Sequence, residues 1–155
     1  MNILIPDEQA MLALGAELAG HLRVNGGGGV VHVKGDLGAG KTTLCRGILR
    51  ALGHEGAVKS PTFTLVEPYE LDGLEVFHFD LYRLADPDEL EYIGIDDYYG
   101  DNRLCLIEWP EKAEGHLVTC DLELAIDVAG EKRNIGIIAN TVRGEKICEA
   151  LSTTF

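Results

Sequence analysis

Gly35-Asp36-Leu37-Gly38-Ala39-Gly40-Lys41-Thr42-Thr43 is the part of the chain whose residue types and spacing can do chemistry. Its first eight residues satisfy GxxxxGK[ST], a pattern that this composition would produce by chance roughly 0.006 times per sequence. The physics of the pattern is specific. Glycines let successive N–H groups of Gly35, Asp36, Leu37, Gly38, Ala39 and Gly40 converge on phosphate oxygens, and a following helix N-terminus adds positive potential. Lys41 places a point charge against β- and γ-phosphates, Thr42 offers a hydroxyl to Mg²⁺, and Thr43 adds a donor beside the phosphates. Mg²⁺ also needs an acid at the tip of a neighbouring strand, and two compete: Asp80 after Val76-Phe77-His78-Phe79, and Glu108 after Leu104-Cys105-Leu106-Ile107. Glu108 ends the more continuous apolar run and is favoured for the metal, directly or through water. Asp80 is then left to orient the attacking water or the metal's water shell. Ser60-Pro61-Thr62-Phe63 lies where nucleotide switches often place a threonine that senses γ-phosphate and Mg²⁺, making Thr62 a switch candidate, with a plain loop fixed by Pro61 as the other reading. Trp109 is open between shielding the site, meeting a partner and ordinary packing.

These residues need a strand before the loop and a helix after it. Val30-Val31-His32-Val33-Lys34 reads as a short buried strand, and Leu44, Ile48 and Leu52 recur every four residues before Gly53, predicting a helix over 41–52 with a glycine stop. Upstream, Met11, Leu14, Leu18 and Leu22 form one stripe of a helix over 7–22, whose acids Asp7 and Glu8 favour the positive dipole end. Phe63 to Leu71 and Leu74 to Phe79 flank Asp72-Gly73, a dipeptide suited to a tight hairpin, so these strands are expected to be antiparallel. Asp86-Pro87-Asp88-Glu89 predicts a helix start, with Leu90 and Ile93 on its apolar side and Gly94 as its stop. Leu104 to Ile107 reads as a central strand emerging at an active edge. Leu122 to Val128 and Arg133 to Ala139 form a second hairpin, and a closing helix is expected over 143–151. The expected fold class is α/β, P-loop NTPase-like and three-layered, with a mixed parallel and antiparallel sheet flanked by helices, in one domain over 1–155.

The formal charge of −13 argues against a direct grip on DNA, RNA or an anionic membrane. From Glu67 to Asp101 twelve acids face Arg83 alone, an acidic lobe that reads either as a solvated face or as a dock for a basic protein surface. The start carries no basic region, and no run of about 18 apolar residues occurs, so the expected location is the cytoplasm. Cys45, Cys105, Cys120 and Cys148 form no CxxC pair, which favours reduced thiols over a disulfide framework or a zinc site. No NKxD element reads a guanine base. A small-molecule kinase would need an arginine-rich lid, which the acidic middle does not supply. A nucleotide-gated interaction module, in which the bound state rather than turnover matters, is the rival from another class.

The phosphate loop, Ser60-Pro61-Thr62-Phe63, His78-Phe79-Asp80-Leu81-Tyr82-Arg83-Leu84 and Ile107-Glu108-Trp109, in that order and at this length, resemble the bacterial TsaE family of small P-loop ATPases. The resemblance implies an ATPase required for making N6-threonylcarbamoyladenosine in tRNAs that read ANN codons, acting with the TsaB and TsaD proteins. It also implies that Thr42 and Glu108 hold Mg²⁺, that Asp80 and the segment around Thr62 assist hydrolysis, and that a basic residue near Arg133 borders the nucleotide. Arg133 rests on position rather than on a sharp motif. The acidic balance fits a protein that meets tRNA only indirectly, through those partners.

Overall fold

In the computed structural model, which describes residues 1–24, 27–58 and 64–155, the apolar runs line up as a seven-stranded sheet. The strands are β1 (Asn2–Ile5), β2 (Gly29–Gly35), β3 (Val66–Leu71), β4 (Leu74–Asp80), β5 (Arg103–Glu108), β6 (Leu122–Ala129) and β7 (Lys132–Ala139). Their order across the sheet is β1-β7-β6-β2-β5-β4-β3. The centre, β6-β2-β5-β4, is parallel, while the β3–β4 and β6–β7 hairpins and the β1–β7 pair are antiparallel. The central strands are the continuous apolar ones, as burial on both faces demands. The β3–β4 hairpin turns on Asp72 and Gly73 with φ of 52° and 81°, the two left-handed conformations that an Asp-Gly pair accepts.

Helices α1 (Glu8–Arg23), α2 (Lys41–Ala51) and α4 (Val142–Ser152) share one large core cluster with the sheet. Asp7 caps α1 by accepting the Ala10 N–H at 2.8 Å, and Thr141 caps α4 by accepting the Gly144 N–H at 3.1 Å. The expected stripe of Met11, Leu14, Leu18 and Leu22 is buried, each leucine contributing about 1.5–3 kcal/mol. The backbones of α1 and α2 touch: a Cβ on Gly47 would lie 2.7 Å from the Leu12 carbonyl oxygen, and one on Gly15 2.8 Å from that of Leu44. Any side chain at either position would push the phosphate-loop helix away from its support. The opposite face packs a smaller cluster under short elements, namely α3 (Glu89–Tyr92) and 3₁₀ turns at Ile95–Tyr98 and Pro110–Ala113.

Three local expectations change. The strand expected from Phe63 starts at Val66, because Leu65 is left-handed at φ 63°; Phe63 itself lies outside the described residues. The helix expected from Asp86 is a single turn starting at Glu89. The Glu89 carboxylate accepts the N–H groups of Ala85 and Asp86 at 3.0 and 3.2 Å, and Asp86 accepts that of Asp88 at 3.0 Å, so a side-chain-held turn takes the place of the first helical turn. Strand β1 is an addition: Asn2 to Ile5 alternate exposed and buried and pair with Arg133 to Gly136 of β7.

Candidate functional site

The loop between β2 and α2 turns tightly, with the Ala39 N–H donating to the Asp36 carbonyl at 3.0 Å. Gly38 and Gly40 have φ of 80° and 113°, conformations that admit glycine and resist other residues. Gly40 is the N-cap of α2, so Lys41 and Thr42 open the helix at its positive end. The Lys41 ammonium donates to the carbonyls of Gly35 at 2.6 Å and Asp36 at 2.7 Å, and it sits 4.3 Å from the centre of the Trp109 ring. Burial pushes its pKa below the ordinary 10.5, with the carboxylates of Glu108, Asp80, Glu111 and Asp36 opposing that shift.

The two competing acids end adjacent parallel strands in the same register, Asp80 of β4 opposite Glu108 of β5. Glu108 is buried, and its carboxylate accepts the Thr42 hydroxyl at 3.2 and 3.3 Å. Its second oxygen also accepts from His78 Nε2 at 2.5 Å. Asp80 is half-buried and accepts the Tyr82 N–H at 3.0 Å, which ties it to the chain just beyond β4. Tyr82 packs on Trp109 with ring centres 4.9 Å apart, so the aromatic pair walls the side of the site next to Lys41. Trp109 itself is left-handed at φ 59°, and its N–H donates to the Val33 carbonyl at 3.3 Å.

Two cavities flank the loop. One, of about 440 Å³, is lined by Lys41, Thr42, Asp80, Arg83, Glu108 and Trp109 among others. The other, of about 230 Å³, lies between Ile5, Asp7, Met11, Thr43, Glu131 and Arg133. Arg133 donates from Nε to the Ala39 carbonyl at 3.0 Å, which fixes it against the loop's far side. The structure thus gathers Gly35 to Thr43, Asp80, Glu108 and Arg133 around one loop. Thr62 lies outside the described residues.

A hydroxyl facing a carboxylate is a pair of hard oxygen donors, suited to Mg²⁺, and the ammonium beside it suits a phosphate. The Trp109 ring, which covers Lys41, takes up the shielding role that the sequence left open for it. Two features escape a reading of the sequence: His78 reaches Glu108, and β1 with the first residues of α1 builds one wall of the smaller cavity. Strand parity could have found the first, since His78 lies two residues before Asp80 and shares its face. Cys45, His78 and Glu108 also bring a thiol, an imidazole and a carboxylate to within 4.8 Å of one another. Burial, together with the Glu108 and Asp80 carboxylates, pushes the Cys45 thiol well above its ordinary pKa. All four cysteines are free.

Residues 5–135 match the family model described as "Threonylcarbamoyl adenosine biosynthesis protein TsaE". The chain belongs to the TsaE family. It is 51% identical over 150 residues to the tRNA threonylcarbamoyladenosine biosynthesis protein TsaE of Haemophilus influenzae, covering 96% of this chain and 95% of that protein. It is 40% identical over 126 residues to the Bacillus subtilis protein of the same name, covering 81% of this chain and 78% of the relative. The crystal structure of YdiB from Bacillus superposes with a TM-score of 0.81 at 31% identity, covering 99% of this chain and 95% of that one. That likeness agrees with the P-loop-like α/β architecture inferred for the TsaE family from the motifs. Among the described residues, no helix is long and apolar enough to cross a membrane.

Proposed function

We propose that the chain is a Mg²⁺-dependent ATPase serving the synthesis of N6-threonylcarbamoyladenosine in tRNAs that read ANN codons, in the cytoplasm and together with TsaB and TsaD. Its TsaE relatives, named for that biosynthesis, support the process. One observation carries the chemistry: Lys41, Thr42 and Glu108 meet at the start of a helix, with Asp80 on the neighbouring strand.

In this reading the loop amides from Gly35 to Thr43 bind the phosphates, and Lys41 exchanges its two carbonyl partners for β- and γ-phosphate oxygens. Mg²⁺, when bound, supplies positive charge against the phosphate oxygens. Thr42 and Glu108 hold it, and Asp80 orients the attacking water. Thr62 senses the γ-phosphate. Trp109 and Tyr82 keep bulk water from the ammonium, which strengthens its field on the phosphates. Arg133 borders the nucleotide on the opposite side of the loop, where the smaller cavity offers Ile5 and Met11 as apolar walls and Asp7 and Glu131 as acceptors. A dock for TsaB and TsaD falls to the acidic segment beyond Asp80, and tRNA is met through them.

Phosphate release from ATP by the isolated chain, with and without Mg²⁺ and with and without TsaB and TsaD, tests the proposal. Slow Mg²⁺-dependent release that the partners change is the expected result. Tight nucleotide binding with no release under any condition would favour a nucleotide-gated module. Phosphoryl transfer to an added small molecule would favour a kinase.

A further inference from the structure

Beneath the phosphate loop, His78 has no exposed surface. On β4, Phe77 and Phe79 point to the smaller core with Cys105 and Ile107, whereas His78 points to the helical face, as do Leu104, Leu106 and Glu108 of β5. Parity therefore places an imidazole inside the aliphatic layer under α2, where a leucine would bury more apolar surface at no polar cost. Its polar contacts are sparse. Nε2 meets one oxygen of Glu108 at 2.5 Å, and Nδ1 is buried with no hydrogen-bond partner among the described residues. Paired with a carboxylate, which accepts, Nε2 acts as the donor, and this is the imidazole's one hydrogen bond among the described residues.

Among the described residues Glu108 has one other hydrogen-bond partner, the Thr42 hydroxyl, which divides its bond between the two carboxylate oxygens at 3.2 and 3.3 Å. That partner is also the group offered to a cation. A metal would take a lone pair of the Thr42 oxygen and leave its O–H donating to Glu108, so Thr42 and His78 hold the carboxylate together, His78 from beneath. We propose that His78 is a positioning residue for the divalent cation. From beneath the loop its Nε2–H anchors one oxygen of Glu108 and leaves the other facing Thr42, so that the carboxylate presents one oxygen to Mg²⁺ in a fixed orientation. Partners of this kind, one step removed from the ion, change metal affinity by about 10- to 100-fold when deleted. The inference rests on Glu108 being the metal-side acid of the proposed ATPase.

The test is ATP affinity of the full chain as a function of Mg²⁺ concentration, in His78→Leu, His78→Asn, His78→Gln and Glu108→Gln, with each variant's thermal melt. Leucine fills the space without a donor. Asparagine has a donor that stops short, and glutamine carries one to about the same reach as Nε2. Leucine and asparagine are expected to raise the Mg²⁺ needed for half-maximal affinity about tenfold or more, with turnover recovering at saturating Mg²⁺; glutamine is expected to restore the requirement to within about threefold. Should His78→Leu not fold, asparagine against glutamine decides the matter. A glutamine variant as impaired as leucine or asparagine assigns His78 to packing and overturns the proposal. So does a normal Mg²⁺ requirement in His78→Leu or His78→Asn while that of Glu108→Gln is raised, an outcome that leaves the metal role of Glu108 standing. An unchanged requirement in Glu108→Gln removes that role itself, and the positioning role with it.

Discussion

The two faces of the sheet are built on different rules. The face under α1, α2 and α4 is a layer of leucine, isoleucine and valine closed by backbone contact at Gly15 and Gly47, and its polar groups at the loop end bond to one another: Lys41 to the loop, Thr42 and His78 to Glu108. Among the described residues the other face is covered by one helical turn and two 3₁₀ turns, packs aromatic edges such as Phe77 and Phe79 against Tyr98 at 4.8 and 5.3 Å, and carries much of the acidic lobe. Each face also holds a histidine differently, His78 buried and His32 half-buried. His78 has Glu108 as partner, while His32 has a buried Nε2 with no partner among the described residues. A site that must hold a phosphate within tenths of an ångström belongs on the first face, and a surface that must meet a partner suits the second.

The largest effect is expected at Lys41. Lys41→Ala removes the charge proposed to meet the β- and γ-phosphates and should lower ATP hydrolysis by about 100-fold or more, with weakened ATP binding and an intact fold. Near wild-type turnover in a variant with a normal circular dichroism spectrum would remove the loop from the chemistry. The two acids divide next. Glu108→Ala should raise the Mg²⁺ needed for nucleotide binding about tenfold or more, while Asp80→Ala should slow hydrolysis by about 10- to 100-fold at an almost unchanged Mg²⁺ requirement. Magnesium titrations of both variants check this, and a metal defect confined to Asp80→Ala would exchange the two roles.

The helical face was the legible one. Periodicity located α1, α2 and α4 because each has an apolar stripe facing a single large core, and the loop pattern named Lys41 and Thr42 because phosphate binding fixes spacing along the chain. Asp80 and Glu108 were legible as strand ends, but their shared register and the reach of His78 across to Glu108 come from strand pairing, which a local pattern does not encode. The opposite face resisted for another reason. At Asp86 to Glu89 side-chain carboxylates compete with the helix for backbone N–H groups, and the propensity signal describes only the helix. Strand β1 has four residues and acquires its partner from the far end of the chain.

That competition also sharpens a docking test. Reversing Asp86 or Glu89 would break the turn as well as change the surface, whereas Asp88 and Glu91 are exposed beside His116 and Tyr92, and Tyr92 retains 90% of its surface. Asp88→Lys with Glu91→Lys should slow association with the TsaB and TsaD pair by about three- to tenfold at low salt and flatten its salt dependence, with ATP affinity unchanged. Tyr92→Ala should act on dissociation instead. Stopped-flow association at several ionic strengths reads both, and rates indifferent to the reversals would leave the acidic lobe a solvated face.

The smallest effect belongs to His32. It lies on β2 facing away from the helices, between Lys34 and Glu123, whose side chains pair at 2.8 Å. Burial, opposed by the Glu123 carboxylate and aided by the Lys34 ammonium, holds its pKa down at about 4 against an ordinary 6.5. Between those two values the unfolded chain binds a proton at this residue and the folded chain does not. Its contribution to stability is therefore complete above pH 6.5 and is lost as the pH falls from 6.5 towards 4. Allowing for partial solvent contact, the loss between pH 7 and pH 5 should be about 1–2 kcal/mol. Urea unfolding of wild type and His32→Gln at both pH values isolates the term, because every other titrating group is common to the two proteins. The wild type should lose more stability on acidification than the variant by that amount. Equal losses would mean that His32 gains a proton as readily in the folded chain as in the unfolded one, and that the second face, for all its irregular cover, lets water reach its interior.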